Sequence, residues 1–508
     1  MGIIQQQTIK GTFYSYLGIF IGFITIYLIH PHVLTPEQIG LIGILTTFSQ
    51  MFAQFSILGF NGTARYFPYF RDEQKNHNGY LFLLCIVALT GFILFAGLSV
   101  ALKDFIINQK AQTSAIFKDY YWYLLPLTFF TLFFNILDIY SQRLYDTLSG
   151  RILNEFAKRS FILIATLFIA FRFLPFDSFM QVWLLANIIP TVLLAHRLYR
   201  KRQLVLKPNF QFIDKSLRNK LITMSLFAIL TGSAPLLIQN IDYFMINQYL
   251  GLSAAGIYTI AFYLGTIIAL PARSLYSIAY TIISESWKTN DFENIKTIYH
   301  KSCINQLIAA LFIFIVIWAN VDSIIALLPS EYAAGKYVIF FIGIANVIDS
   351  ATGTNGVILA TSKYFKYDSL FYFSLIGVAI GANVLFIPIY GITGAAIAFM
   401  VTLLIFNTFR YLFILIAFKM QPFTYKNLLI IIIGLAIYYI SSFVPNLSLT
   451  SSIVLATLLD IGIRSLFITV LFLGIVYGFN LSEDINSTLR AYMNKLYSTN
   501  TVKHKKLP

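Results

Sequence analysis

Hydrophobic positions in this chain come in long unbroken runs, as in Leu428 to Ile440, which reads LLIIIIGLAIYYI. A bilayer core about 30 Å thick is crossed by about 20 apolar residues of helix, whereas barrel strands would read as alternating segments of about ten. The pattern therefore predicts helices. Fourteen spans are expected, at about 11–31, 37–60, 80–101, 119–142, 156–174, 178–198, 220–246, 253–284, 303–321, 337–361, 367–388, 391–414, 426–445 and 455–479. The eighth contains Pro271 and should be kinked. The first apolar run continues from near Thr12 past Ile29 with no small-residue cleavage site after it. It is expected to stay as a membrane helix rather than be removed as a signal.

The polar positions between the runs are strongly sided. With the N-terminus on the cytoplasmic side, 29 of the 36 basic residues fall on the inner side and 5 on the outer side; Arg273 and Arg464 lie deeper within spans. The excess of Lys and Arg on one side predicts that both termini are cytoplasmic and supports an even number of spans. The most basic loop, Arg197 to Lys220, divides the chain. It predicts an N-terminal six-helix lobe at 1–200, a basic cytoplasmic linker at 201–219, a second six-helix lobe at 220–418, and two extra helices with a basic tail at 419–508.

Composition narrows the class. Hydrophobic residues make up 58% of the 508 and charged residues 11%, with mean hydropathy +0.75. Soluble domains average about 45–50% apolar and about 25% charged. A soluble globule, a disordered chain and a nucleic-acid-binding domain are excluded, because the net charge of +15 is spread through short loops between apolar runs. Cys85 and Cys303 offer neither a disulfide framework nor metal-ligand spacing. No G-x-x-x-x-G-K-[ST], H-E-x-x-H or G-x-S-x-G motif occurs, and no cofactor is expected. The longest outer segment, about Leu102 to Lys118, holds one acidic residue, Asp104, which argues against a membrane-embedded polymerase or glycosyltransferase.

Two short matches suggest an internal repeat. Asn135-Ile136-Leu137-Asp138 recurs as Asn346-Val347-Ile348-Asp349, and Glu37-Gln38-Ile39-Gly40-Leu41 resembles Ser253-Ala254-Ala255-Gly256-Ile257, at offsets of 211 and 216. Six spans return a chain to the same side, so the repeat would be parallel, an architecture of transporters with the substrate site between the halves.

Four stretches carry a family resemblance: Leu34-Thr35-Pro36-Glu37-Gln38-Ile39-Gly40-Leu41; Gly59 to Pro68 (GFNGTARYFP); Ile241-Asp242-Tyr243-Phe244 with Gly251 and Ala255-Gly256-Ile257-Tyr258; and Tyr390 to Ala398 (YGITGAAIA). Through them nearly the whole chain resembles the multidrug/oligosaccharidyl-lipid/polysaccharide exporter superfamily, in its polysaccharide transporter (O-antigen flippase) branch. The resemblance implies an all-α integral membrane fold of about fourteen transmembrane helices, with two parallel six-helix lobes around a central cavity plus two C-terminal helices. It implies alternating access and export of undecaprenyl-pyrophosphate-linked oligosaccharide across the bacterial plasma membrane for surface polysaccharide biosynthesis. The expected partners are that lipid-linked substrate, membrane lipids and polysaccharide assembly proteins. The alternative is an H⁺- or Na⁺-coupled multidrug or small-molecule exporter of the same superfamily.

Charges within spans are costly and mark candidate sites. Arg273, two residues after Pro271, offers planar paired donors to phosphate, and by its span matches cavity arginines of lipid II flippases; the competing reading is snorkelling to the interface. Asp242, with Asn240 beside it, is either a substrate or proton contact or an interfacial cap. Asp138 and Asp349, the repeated pair, are ion-coupling candidates, with an interhelical hydrogen bond as the competing role. Arg65 stands at the inner end of span two, at the cavity mouth or simply in a basic loop. Asp460 and Arg464, four residues apart, should neutralise each other. Gly18-x-x-x-Gly22 and Gly377-x-x-x-Gly381 permit close helix approach.

Overall fold

The computed structural model describes residues 3–101, 103, 115–444, 453–488 and 490. Among the described residues there is no strand. The principal helices are α1 (Ile3–Gly22), α2 (Pro36–Ser56), α3 (Tyr80–Ala101), α4 (Leu124–Arg143), α5 (Lys158–Ala170), α6 (Phe176–Arg200), α7 (Lys215–Leu250) and α8 (Leu252–Ile267). They continue with α9 (Leu270–Thr289), α10 (Phe292–Ala319), α11 (Lys336–Ala351), α12 (Asn355–Thr361), α13 (Phe365–Tyr390), α14 (Ile392–Phe418), α15 (Tyr425–Ser441) and α16 (Ile453–Gly478). Among the described residues ten helical segments are long and apolar enough to cross a membrane, and the bent pair within α7 makes an eleventh. The chain is an all-α, multi-pass membrane protein.

Several predicted boundaries shift for local reasons. The eighth predicted span breaks between α8 and α9, and Pro271 sits in the first turn of α9, where a missing N–H costs no hydrogen bond. The tenth is interrupted between α11 and α12 at Thr352–Thr354, where Gly353 takes a left-handed φ of 58°. The fifth starts earlier than expected: the chain is helical from Leu148, widens into a π turn at Ile152–Ala157, and continues as α5. Arg151, expected before the fifth span, is therefore helical, and Lys158 and Arg159, counted with the inner-side basic residues at the start of that span, follow the π turn rather than open the helix. In α7 the segments Lys215–Ala234 and Leu236–Leu250 meet at 50°. Pro235 lies at the junction and removes one backbone bond.

The chain forms two compact units: unit 1 is Met1–Ile260 with Tyr372–Ala395, and unit 2 is Ala261–Phe371 with Ala396–Pro508. This division differs from the expected lobes at 1–200 and 220–418. The reason in unit 1 is that α7 packs on α2 and on the 3₁₀ turn Phe60–Tyr66. A Cβ on Gly59, itself at φ 66°, would overlap the Ser225 carbonyl of α7, so the turn lies flat against that helix. The basic linker is also docked within unit 1, with Phe210 against Phe82, Phe212 against Phe70, and Asn209 Nδ2 donating to Asn78 Oδ1 at 3.3 Å.

The resemblance motif at Thr35 is a helix start. Thr35 Oγ1 accepts the Gln38 N–H at 3.3 Å and Gln38 Oε1 accepts the Thr35 N–H at 3.0 Å, with Pro36 in the first turn. The two repeated glycines then meet at one crossing in unit 1. A Cβ on Gly40 would overlap the Leu252 carbonyl oxygen, and one on Gly256 the Pro36 carbonyl oxygen. Only hydrogen at both positions allows α2 and α8 to touch backbone to backbone. Gly18 similarly faces the Glu155 carbonyl of the π turn, whereas Gly377 and Gly381 have nothing within 4 Å of a Cβ. The second small-residue pair therefore mediates no close approach among the described residues.

In unit 2 the last two helices, expected apart from the lobes, share a core with α10: Leu307, Leu311 and Phe314 pack with Ile430, Ile437, Ile468 and Phe472. Arg464 and Asp460 pair as their spacing predicts, at 3.4 Å, and Arg464 Nη1 also donates to the Ala319 carbonyl at 3.0 Å.

Candidate functional site

Unit 1 encloses a polar cavity of about 210 Å³. At about 30 Å³ per water, that is room for roughly seven waters. Helix periodicity builds its walls. Thr46, Ser49, Gln50 and Gln54 recur at three- and four-residue steps on one face of α2. Thr131, Phe134 and Asn135 do the same on α4, Asn187 and Pro190 come from α6, and Leu236 from α7. Asn154 lies on the π turn and Lys158 one turn later at the start of α5. A π turn inside a helix is frequent at functional sites because it re-aims side chains.

Two properties distinguish this lining. The carboxamides of Gln50, Gln54, Asn135 and Asn154 make no hydrogen bond to any described residue, though they sit in an apolar bundle where unpaired polar groups are costly. The Lys158 ammonium also has no ion pair or hydrogen bond among the described residues. Its charged neighbours, Glu155 and Arg159, satisfy each other at 2.9 Å. The cavity therefore presents neutral donors and acceptors plus one uncompensated positive charge, a surface suited to hydroxyls and an anion.

The helix that carries Lys158 is anchored in the turn after the candidate span that ends at Arg143. Asp146, in the turn after α4, accepts from the Ser149 N–H and Oγ at 3.2 and 2.6 Å, from Lys201 Nζ at 2.7 Å and from Arg197 Nε at 3.2 Å. Burial opposes its ionisation, but the Lys201 and Ser149 bonds and the Arg197 charge outweigh it and hold the carboxyl down at about 2. The contact fixes the end of α6 to the start of the helix bearing Asn154 and Lys158.

Of the six residues singled out in the sequence, Arg65, Asp138, Asn240 and Asp242 belong to unit 1, and Arg273 and Asp349 to unit 2. The backbone of Arg273 lies in α9, and its side chain is outside the described residues. Asp242 is 1% exposed and fully engaged within unit 1, accepting from Asn383 Nδ2 at 2.7 Å and Tyr258 Oη at 3.1 Å. Asn240, one turn from the cavity-lining Leu236, donates to that residue's carbonyl at 2.8 Å. Arg65 is exposed on its 3₁₀ turn. Asp138 follows Asn135 by three residues, accepts from Gln142 Nε2 at 2.9 Å, and fits over Gly150, where a Cβ would overlap it. Asp349 is in unit 2 and accepts from Asn407 Nδ2 at 3.0 Å. The cavity residues were missed because neutral amides carry no charge signal, and because Lys158, near the end of its predicted span, reads as one of the inner-side basic residues. The usable signal was the polar stripe at 46, 50 and 54 within an apolar span.

Unit 2 has its own polar cluster. Asn407 Oδ1 accepts from Thr352 Oγ1 at 2.9 Å and Asn355 Nδ2 at 3.0 Å. Arg410, near the inner end of the predicted twelfth span, is buried on α14 and bonds Asp368 through Nε and Nη2, both at 2.8 Å. No cluster of His, Cys, Asp and Glu capable of holding a metal occurs among the described residues.

A helical multi-pass chain that keeps unpaired polar groups around a cavity within its bundle belongs to the class of membrane transporters. The chain matches the polysaccharide biosynthesis protein family over residues 8–287, more than half its length, and is a member of that family. Its fold is similar to those of solved membrane transporters. It is similar to the lipid II flippase MurJ in an inward closed conformation, with TM-score 0.67 and 14% identity over 93% of this chain and 99% of that one. A multidrug resistance MATE family transporter matches in its inward-facing conformation, with TM-score 0.61 and 12% identity over 79% of this chain and 93% of that one. An outward-facing MATE family transporter matches with TM-score 0.54 and 13% identity over 80% and 94%. No curated protein sequence matches the chain.

Proposed function

We propose that the protein flips a lipid-linked oligosaccharide across the bacterial plasma membrane for surface polysaccharide assembly, with both termini cytoplasmic and without chemistry of its own. The single observation that carries this reading is the cavity in unit 1, in which unpaired carboxamides surround the lone Lys158 ammonium. Sugar hydroxyls are matched by amides that both donate and accept. A pyrophosphate crossing a low-dielectric layer needs a compensating cation. A volume of about 210 Å³ suits the phosphate-proximal part of a head group rather than a whole glycan. Family membership and the fold shared with a lipid II flippase support the same substrate class.

Export of cationic drugs fits less well, because no carboxylate lines this cavity among the described residues and its one charge is positive. Arg273 remains a second candidate for the pyrophosphate, alongside Lys158. The test is a deletion strain: lipid-linked glycan should accumulate on the cytoplasmic leaflet, and the intact gene should restore surface polysaccharide. Unchanged polysaccharide with altered drug sensitivity would transfer the assignment to the multidrug class.

A further inference from the structure

Two of the helices that wall the polar cavity of unit 1 carry a second concavity on their reverse faces. On α4, Thr131 and Asn135 face the cavity, while Phe129 and Leu137 line an apolar groove of about 420 Å³. On α6, Asn187 and Pro190 face the cavity, and Val192 and Tyr199 the groove. The floor of the groove is closed toward the cavity: Thr191 is 5% exposed, and its Oγ1 donates to the Phe130 carbonyl at 2.9 Å. The groove opens the other way, where Val192 and Tyr199 are exposed. Along α4 it runs from Phe129 to Leu137, a length of about 12 Å at about 1.5 Å per residue.

One end of the groove is basic. His196 lines it, Arg200 stands four residues further along the same side of α6, and Arg202 follows in the turn that closes the helix. Arg200 and Arg202 are exposed, whereas Arg197 and Lys201 are held by Asp146. Among the described residues no acidic side chain lines the groove. We propose that this groove binds an anionic phospholipid of the surrounding bilayer, with an acyl chain along Phe129–Leu137 and the phosphate at His196 and the basic helix end. Apolar lining alone would take any lipid. The basic end selects a negative head group, because arginines near a membrane surface attract anionic lipids and guanidinium pairs with phosphate oxygens. The polyprenyl tail of the substrate proposed above is a poorer occupant, since the Thr191–Phe130 contact closes the path from the cavity that would hold its pyrophosphate. A lipid seated here packs against the backs of both helices, so its presence bears on the cavity wall that carries Asn135 and Asn187.

This inference needs only that the chain spans a bilayer and does not rest on the flippase reading. The experiment uses the full-length protein in phosphatidylcholine proteoliposomes with a trace of phosphatidylglycerol bearing a photoactivatable diazirine in one acyl chain. After illumination the labelled peptides are mapped by mass spectrometry. Label should concentrate on residues 129–137 and 191–204. Unlabelled phosphatidylglycerol should displace it, with a preference over phosphatidylcholine of about fivefold for each basic charge in use. Label near Leu89, exposed on α3, should not respond to the head group. The double variant Arg200→Gln/Arg202→Gln should lose about tenfold or more of the preference, and Ala195→Trp, which fills the groove, should reduce labelling by either lipid. Equal displacement by the two phospholipids, label spread evenly over the exposed helices, or an undiminished preference in the folded double variant would overturn the proposal. Displacement by undecaprenyl phosphate at a lower mole fraction than by phosphatidylglycerol would overturn it too, and give the groove to the substrate's tail. Should the double variant fail to fold, the map and the displacement in wild type decide.

Discussion

Asn135-Ile136-Leu137-Asp138 on α4 and Asn346-Val347-Ile348-Asp349 on α11 are near copies in sequence, and their surroundings differ in kind. In unit 1 the Asn135 carboxamide is left unpaired at a cavity wall that it shares with Lys158. In unit 2 the Asn346 carboxamide is 7% exposed and donates to the Gly265 carbonyl at 3.1 Å and the Ile342 carbonyl at 2.9 Å. Closure follows from a glycine: a Cβ at Gly265 would overlap the Ile342 side chain, so α8 and α11 pack too tightly to leave space. The charges divide the same way. The cation in unit 1 has no partner among the described residues, while Arg410 in unit 2 is matched to Asp368. One motif thus serves an open, cationic cavity and a closed, acidic cluster. The neighbouring helices decide which.

The largest expected effect is at Lys158. A hydrogen bond to a charged group is worth about 1.5–3 kcal/mol, so Lys158→Ala should weaken head-group binding about 10- to 150-fold. Surface polysaccharide should fall to near the deletion level at normal membrane abundance, with Lys158→Arg retaining part of the activity. Full complementation by Lys158→Ala would break the contrast between the units. Asn135→Asp sharpens it by giving unit 1 a carboxylate on the same wall as its cation. Export should drop nearly as far as with Lys158→Ala, while thermal stability holds; unaltered export would mean that the positive charge is not in use.

Stability separates the tight contacts from the open ones. Gly256→Val must force its side chain into the Pro36 backbone, at about 1–3 kcal/mol or more for overpacking, and the unfolding temperature should fall by several degrees. Gly381→Val, with open space around it, should leave that temperature unchanged. Next in size, Asn346→Ala strips a buried carbonyl of its donor and should cost about 1–3 kcal/mol. Asn135→Ala removes no such bond and should cost nothing measurable in unfolding. Equal losses at the two positions would erase the distinction drawn from the repeat.

The smallest effect is the pH response at Asp146. Its carboxyl is held at about 2 in the folded protein, against about 3.9 when free. Its stabilisation is therefore present above about pH 4 and is lost as pH falls toward the folded value. Asp146→Asn should flatten the acid limb of a stability-versus-pH curve and leave neutral stability slightly lower. An unchanged acid limb would show that Lys201 and Arg197 do not hold α6 to the start of the Lys158 helix.

Sequence alone determined the helical, multi-pass class, because continuous apolar runs satisfy their backbone only as helices in lipid. Local chemistry also marked a kink at Pro271 and the Asp460–Arg464 pair, since each depends on residues close in the chain. It marked the glycines of the repeat without revealing that Gly40 and Gly256 lie on opposite sides of one crossing. The candidate site was decided by tertiary structure. Gln50, Asn135, Asn154, Lys158 and Asn187 come from four separate helical segments, and nothing in their separate surroundings says that they converge. Whether a polar side chain in a membrane helix is paired or left open depends on how closely the next helix approaches. That approach is set by a contact with a residue far away in the chain, as at Gly265 against the Ile342 side chain or Gly18 against the Glu155 carbonyl.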